Sequence, residues 1–127
     1  MPAWLEKYVE TIIDSGYYKL LIEGLSNTLV ITLGALLIGV IIGTVISVIK
    51  YFAEDIPALK PITLICDLYI TIIRGIPVVV LLLIFYFIIF ASSDNGVMVA
   101  IITFGINSGA YMAELIRGGI QAVDKGQ

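Results

Sequence analysis

Ser108-Gly-Ala-Tyr-Met-Ala-Glu-Leu-Ile-Arg-Gly-Gly-Ile-Gln-Ala-Val-Asp-Lys-Gly-Gln127 is the stretch on which the fold is decided. An apolar run begins upstream at Val97 and enters it without a charge until Glu114, after which the sequence turns polar. At helical spacing Asn107, Tyr111, Glu114 and Gln121 share one face, with Arg117 close beside it. Gly105, Gly109 and Ala113 form a line of small residues on another face. A helix with one face for close backbone approach and another for polar contact suits packing inside a membrane bundle. Its polar groups must face neighbours or a water-filled path, because lipid cannot satisfy them.

Composition agrees with that reading. The chain has 127 residues, 60% of them apolar and only 13% charged, with a mean hydropathy of +1.08. A soluble domain of this size could not bury so much apolar surface. The chain has no histidine, and Cys66 is its single cysteine. A His/Cys zinc site and an intramolecular disulfide are thereby excluded, and Cys66 reads as a buried, inert thiol. A net charge of −3 gives no reason to expect nucleic-acid binding. The N-terminus lacks a basic segment before an apolar core, so no cleaved signal peptide is expected.

From the N-terminus, Trp4, Leu5, Tyr8, Val9, Ile12 and Ile13 follow helical spacing opposite Glu6, Lys7, Glu10 and Asp14. Residues 1–23 therefore read as an extracytoplasmic amphipathic segment lying at the membrane surface and ended by Ser15-Gly16; a disordered leader is the alternative. Gly24 to Ile49 carries no charge and is long enough for a first span. Ala35, Gly39, Gly43 and Ser47 recur every fourth residue along it, a line that admits a neighbouring helix. After a polar loop from Lys50 to Lys60, Pro57 and Pro61 open a new helix. Its polar stripe is Lys60, Thr63, Asp67, Thr71 and Arg74. Gly75-Ile-Pro77 then breaks or kinks the chain before the apolar run from Val78 to Ala91.

Two geometries fit residues 61–90. The favoured one is a single kinked span from about Pro61 to Phe90, with its first turns in the cytoplasm. The other is an interfacial helix ending at Arg74 and then a short span. Arg74 reads first as a snorkelling anchor and second as a substrate or gating residue. Asp67, on the same face, is expected to pair with it through Thr71 or water. Residues 91–96 form a tight polar turn, and the third span covers 97–117. Asn107, Tyr111 and Glu114 serve either as helix–helix hydrogen-bonding groups or as the lining of a translocation path. Arg117, at i+3, is the local partner expected for Glu114.

Two motifs carry a resemblance. Ala110-Tyr-Met-Ala-Glu-x-x-Arg-Gly-Gly-Ile-Gln-Ala-Val-Asp-Lys-Gly-Gln127 and, upstream at the matching spacing, Arg74-Gly75-x-Pro77 resemble the permease subunits of ABC importers for polar amino acids of the histidine, glutamine, arginine and glutamate type. The Gly-Leu-Ser-Asn-Thr-Leu stretch from Gly24 is also similar to the start of that permease core. The resemblance implies an all-α integral membrane protein. It has an N-terminal amphipathic segment and, over 24–127, three transmembrane helices of an incomplete type I importer permease fold. It implies that Arg117, Gly118, Gly126 and Gln127 approach a cytoplasmic coupling loop whose Glu-Ala-Ala core lies beyond Gln127, so the chain reads as a fragment.

By the same resemblance the partners are a second permease subunit in a homo- or heterodimer, two ATP-binding subunits, an extracytoplasmic solute-binding protein and membrane lipid. No cofactor or catalytic residue is implied, and ATP hydrolysis belongs to the partners. The chain itself has no phosphate-cradling G-x-x-x-x-G-K-[ST] loop. The distribution of cations sets an orientation. With the N-terminus outside, Lys50, Lys60, Arg74, Arg117 and Lys125 fall on the inner side and only Lys7 and Lys19 outside, so the positive-inside rule selects N-out, C-in in the cytoplasmic membrane. A small three-span structural or assembly protein is the second reading. An intramembrane enzyme is the third, disfavoured because no histidine, paired carboxylates or Ser/Lys dyad is present.

Overall fold

The computed structural model describes residues 1–126, and all regular structure among them is helical. Gln127, expected at the approach to the coupling loop, lies outside the described residues. Contacts gather the chain into one unit over Met1–Val30 and another from Ile31 onward.

In the first unit α1 covers Ala3–Val9 and passes into a π-helical turn over Glu10–Asp14. The helix stops at Ser15-Gly16, as the sequence leads one to expect. The Ser15 hydroxyl donates to the Thr11 carbonyl, and Gly16 takes a φ of +79°, a left-handed turn that glycine adopts without a Cβ penalty. Leu5, Val9 and Ile12, at i, i+4 and i+7, are the less exposed line, while Trp4, Tyr8 and Tyr17 lie exposed. α2 spans Tyr18–Ala53, starting before the expected Gly24 and outlasting Ile49. No proline interrupts it, and Gly24 meets no neighbour that would end a helix there. At about 1.5 Å per residue its length is about 54 Å, more than the roughly 30 Å of a hydrocarbon core.

The second unit is built on the contact between α2 and α5, which spans Gly96–Gly126. The two small-residue lines meet each other. Ala35, Gly39, Gly43 and Ser47 are all buried, as are Gly105, Gly109 and Ala113. A Cβ on Gly39 would lie 2.6 Å from Ser108 Cβ, and one on Gly43 would lie 2.6 Å from Met112 Cβ and 2.9 Å from the Ala113 nitrogen. The opposite helix is fitted the same way: a Cβ on Gly105 would lie 2.7 Å from Ile38 Cγ2, and one on Gly109 2.7 Å from Ile42 Cγ2. Each glycine is thus the socket for a side chain of the other helix. Ser47 closes the contact by donating a 3.0 Å hydrogen bond to the buried Ala113 carbonyl.

Pro57–Leu59 makes a 3₁₀ turn into α3, Lys60–Gly75, with Pro61 in its first turn. The chain then turns extended at Ile76 (φ −99°, ψ 128°) and Pro77 (φ −57°, ψ 138°), and α4 covers Val78–Ile84 with a π-helical continuation over Phe85–Ile89. The two helical pieces meet at 105°. The expected kink is a sharp break: the chain forms two helices, the first carrying Arg74 in its last turn, and they make one span only as a bent pair. Pro77 lacks a backbone donor and its ring crowds the preceding turn, and two successive extended residues let the axis swing far past an in-helix kink. Val78–Ile89, at about 18 Å, is short of a full crossing. Two helices, Tyr18–Ala53 and Gly96–Val123, are long and apolar enough to cross a membrane, or up to three if the bent pair counts as one span.

Both pieces pack on α5. Ile46, Cys66, Ile70 and Ala113 form one buried cluster, and Ile73, Leu81 and Ala110 a second. Tyr69 touches both, and its phenol donates to the Ile106 carbonyl. Cys66 is buried, in keeping with its expected character. Asn95 starts α5, its Oδ1 accepting from the Met98 N–H at 3.0 Å.

Gly43→Leu should destabilise the α2–α5 contact by about 1–3 kcal/mol or more, since the added side chain meets backbone rather than a flexible tip. Gly118→Ala, where nothing lies within 4 Å, should be neutral or stabilising by up to about 1 kcal/mol. Thermal unfolding in detergent micelles followed by circular dichroism separates the two. Equal midpoints would remove the close contact from any role in stability.

Candidate functional site

α3 ends against the middle of α5, and this brings three polar side chains together. Arg74 is fixed in the last turn of α3 by the break that follows it. Its guanidinium carbon lies 5.4 Å from the centre of the Tyr111 ring. Its Nη1 lies 3.9 Å from Glu114 Oε2. Tyr111 and Glu114 are three residues apart on α5, so one face of one helix presents an aromatic plane and a carboxylate to the same cation. The ion pair is loose, and the two side chains are 45% and 38% exposed. A pair this open in water is worth at most about 1 kcal/mol. Exposed to hydrocarbon it would be costly, so the cluster requires water or protein over it.

The pairings differ from those expected. Glu114 is held by Arg74 rather than by Arg117, and Asp67 is held by Lys50 of α2 rather than by Arg74. Among the described residues these are the two ion pairs. The reason is the crossing of α3 over its neighbours. Asp67 and Arg74 share a face of α3 but reach opposite ways, one to the end of α2 and one to α5. Neither partner is local in sequence, so spacing within one helix could not find them. Gly75 meets no neighbour within 4 Å, and Pro77 caps α4 without a side-chain hydrogen bond. Asn107 is half-buried one turn before Tyr111. α5 continues through Arg117, Gly118 and Gly119 to Gly126 without a break.

Tyr69 is a residue the sequence reading passed over. Cys66, Tyr69, Ile70 and Ile73 follow i, i+3, i+4, i+7, on the face beside the polar stripe. A phenol on a buried face needs an acceptor, and that was the available signal. Among the described residues no three His, Cys, Asp or Glu side chains gather as a metal site would require.

Known proteins match this chain along most of its length. It is 37% identical over 110 residues to the arginine transport system permease protein ArtQ of Bacillus subtilis, covering 84% of the chain and 48% of that protein. It is 35% identical over 130 residues to the putative glutamine transport system permease protein GlnP of Rickettsia prowazekii, covering 100% of the chain and 55% of that protein. This chain is a homologue of amino-acid ABC transport permeases. The glutamate/aspartate import permease protein GltK of Escherichia coli is 32% identical over 117 residues, with 84% of the chain and 50% of the relative covered. The chain thus spans about half the length of the curated permeases it matches. No family model matches, and no solved structure does. The homologues are transport permeases and not enzymes, in agreement with the reading from sequence.

The Lys50–Asp67 pair is unequal, with the lysine side chain 10% exposed and the aspartate 53%. Asp67→Asn strands a nearly buried ammonium, whereas Lys50→Met leaves a carboxylate that water can solvate. The first substitution should therefore destabilise by about 1–3 kcal/mol and the second by less. Chemical denaturation of both variants in micelles checks the order, and the reverse order would remove burial as the controlling factor.

Proposed function

We propose that this chain forms half of a permease subunit that carries polar amino acids across the cytoplasmic membrane. The observation that supports this reading best is the Arg74–Tyr111–Glu114 cluster, formed where α3 meets α5. Glu114 lies about 27 Å along α5 from Gly96, near the far edge of a roughly 30 Å core. The cluster then belongs to the inner end of a water-filled path, where Arg74 and Glu114 offer opposite charges to a zwitterion and act as a gate. Asn107 and Tyr111 line the same path further out. Homology to arginine, glutamine and glutamate/aspartate permeases supports the substrate class and favours transport over an assembly role.

In this reading the subunit pairs with a second permease subunit, equal or different, and works with two ATP-binding subunits and an extracytoplasmic solute-binding protein. The N-terminus lies outside, with residues 1–23 an extracytoplasmic amphipathic segment, and the C-terminal end of α5 lies in the cytoplasm. Arg117, Gly118, Gly126 and Gln127 lead towards the coupling loop. The distribution of Lys and Arg supports this orientation.

Two experiments test the proposal. In intact cells a Ser92→Cys variant should react with an impermeant thiol reagent and a Lys125→Cys variant should not; labelling of position 125 from outside refutes the orientation. In the second, this chain replaces the matching half of the Bacillus subtilis arginine permease. The chimera should support uptake of a polar amino acid. Glu114→Ala or Arg74→Ala within it should lower uptake roughly tenfold or more, equivalent to about 1.4 kcal/mol, at unchanged membrane levels. Undiminished uptake in both variants would take the cluster out of the path.

A further inference from the structure

Where the C-terminal part of α2, the start of α3 and the far end of α5 come together, a cavity of about 640 Å³ with charged side chains in its wall opens. Lys50, Lys60 and Arg117 bring one cation to its wall from each of these three helices, and Glu54 and Asp67 bring two anions. Asp67 is already held by Lys50. Lys60, Arg117 and Glu54 remain, and among the described residues none of these three is in an ion pair. The cavity has one positive charge in excess.

A second cavity, of about 600 Å³, lies beside the first and is apolar. The two share Tyr51 and Ile120, and Val48, Phe52, Ile116 and Gly119 extend the apolar wall. A cation-rimmed chamber joined to an apolar one matches an amphiphile with an anionic head. The level in the fold matches as well. The charge-free run of α2 ends at Lys50, and the first charge of α5 is Glu114. The cavities thus sit where the hydrocarbon core gives way to headgroups. Cations at that level meet anionic lipid phosphates, each worth about 1 kcal/mol near the surface.

We infer that the paired cavities between α2, α3 and α5 bind one anionic phospholipid, its phosphate on Lys60 and Arg117 and its apolar body against Tyr51 and Ile120. The site shares no residue with the Arg74–Tyr111–Glu114 cluster and holds a structural lipid rather than a transported solute.

The test titrates the purified chain in detergent with dioleoyl-phosphatidylglycerol or dioleoyl-phosphatidylcholine and counts bound lipid by native mass spectrometry. Phosphatidylglycerol should bind about tenfold more tightly than phosphatidylcholine. Lys60→Gln and Arg117→Gln should each weaken it about fivefold, the factor that corresponds to one interfacial charge. Gly119→Leu, which projects into the apolar cavity, should weaken both lipids. Lys60 is exposed, so its substitution leaves the fold intact, and circular dichroism verifies this. Equal binding of the two lipids overturns the proposal, as does unaltered phosphatidylglycerol binding in the Lys60→Gln variant. Displacement of the lipid by millimolar inorganic phosphate would reduce the site to a plain anion pocket and likewise overturn it. Because the readout needs no transport, it stands or falls apart from the permease activity proposed above.

Discussion

Close backbone approach between α2 and α5 is the constraint on which the second unit depends. Two helices bearing ordinary side chains stay 8–10 Å apart. Here Gly39 and Gly43 take in Ser108 and Met112, while Gly105 and Gly109 take in Ile38 and Ile42. In a bilayer no hydrophobic driving force holds helices together, because lipid is as apolar as leucine. Contact at short range then rests on dispersion and on the few polar bonds that short range permits. The Ser47 hydroxyl reaching the Ala113 carbonyl is one such bond, and it exists only because no side chain stands between. With α5 fixed on α2, the cleft beside them accepts α3 and α4, whose buried residues Ile70, Ile73 and Leu81 all pack around α5 side chains.

The consequences run outward to the polar groups. Tyr69 reaches the Ile106 carbonyl beside Gly109, where a larger residue would occupy the space of its hydroxyl. That bond seats α3 across α5. The seating decides which charge meets which: Asp67 falls beside Lys50, and Arg74 falls over Tyr111 and beside Glu114. A chain of steric choices among small residues thus ends in an electrostatic arrangement.

Much of this was legible in the residues, and the limits were physical. Both small-residue lines stood out by their spacing, because period and size are local properties. That they face each other is a matter of assembly, and only the lack of another use for them hinted at it. The break at Gly75-Ile-Pro77 was legible because proline forbids one helical hydrogen bond. The angle was not, since it depends on what α4 packs against, and a kink was expected where a turn of 105° occurs. For Glu114 the local partner Arg117 was the natural choice at i+3, yet a cation from another helix took it. Local spacing cannot weigh a neighbour that the fold has yet to supply. The roles of Asn107, Tyr111 and Glu114 depend on what covers them, which no local pattern encodes.

The end of α3 has one more effect. A helix gathers a partial negative charge at its C-terminus, from carbonyls with no donor ahead of them, and proline at position 77 supplies none. Arg74 sits in that last turn. Its guanidinium therefore lies within three negative fields, those of the helix end, the Tyr111 ring face and the Glu114 carboxylate. Two of these fields remain to hold the guanidinium in place when Glu114 turns to another partner. An anion arriving there would find the guanidinium already positioned, and a cation would find the carboxylate free to be shared.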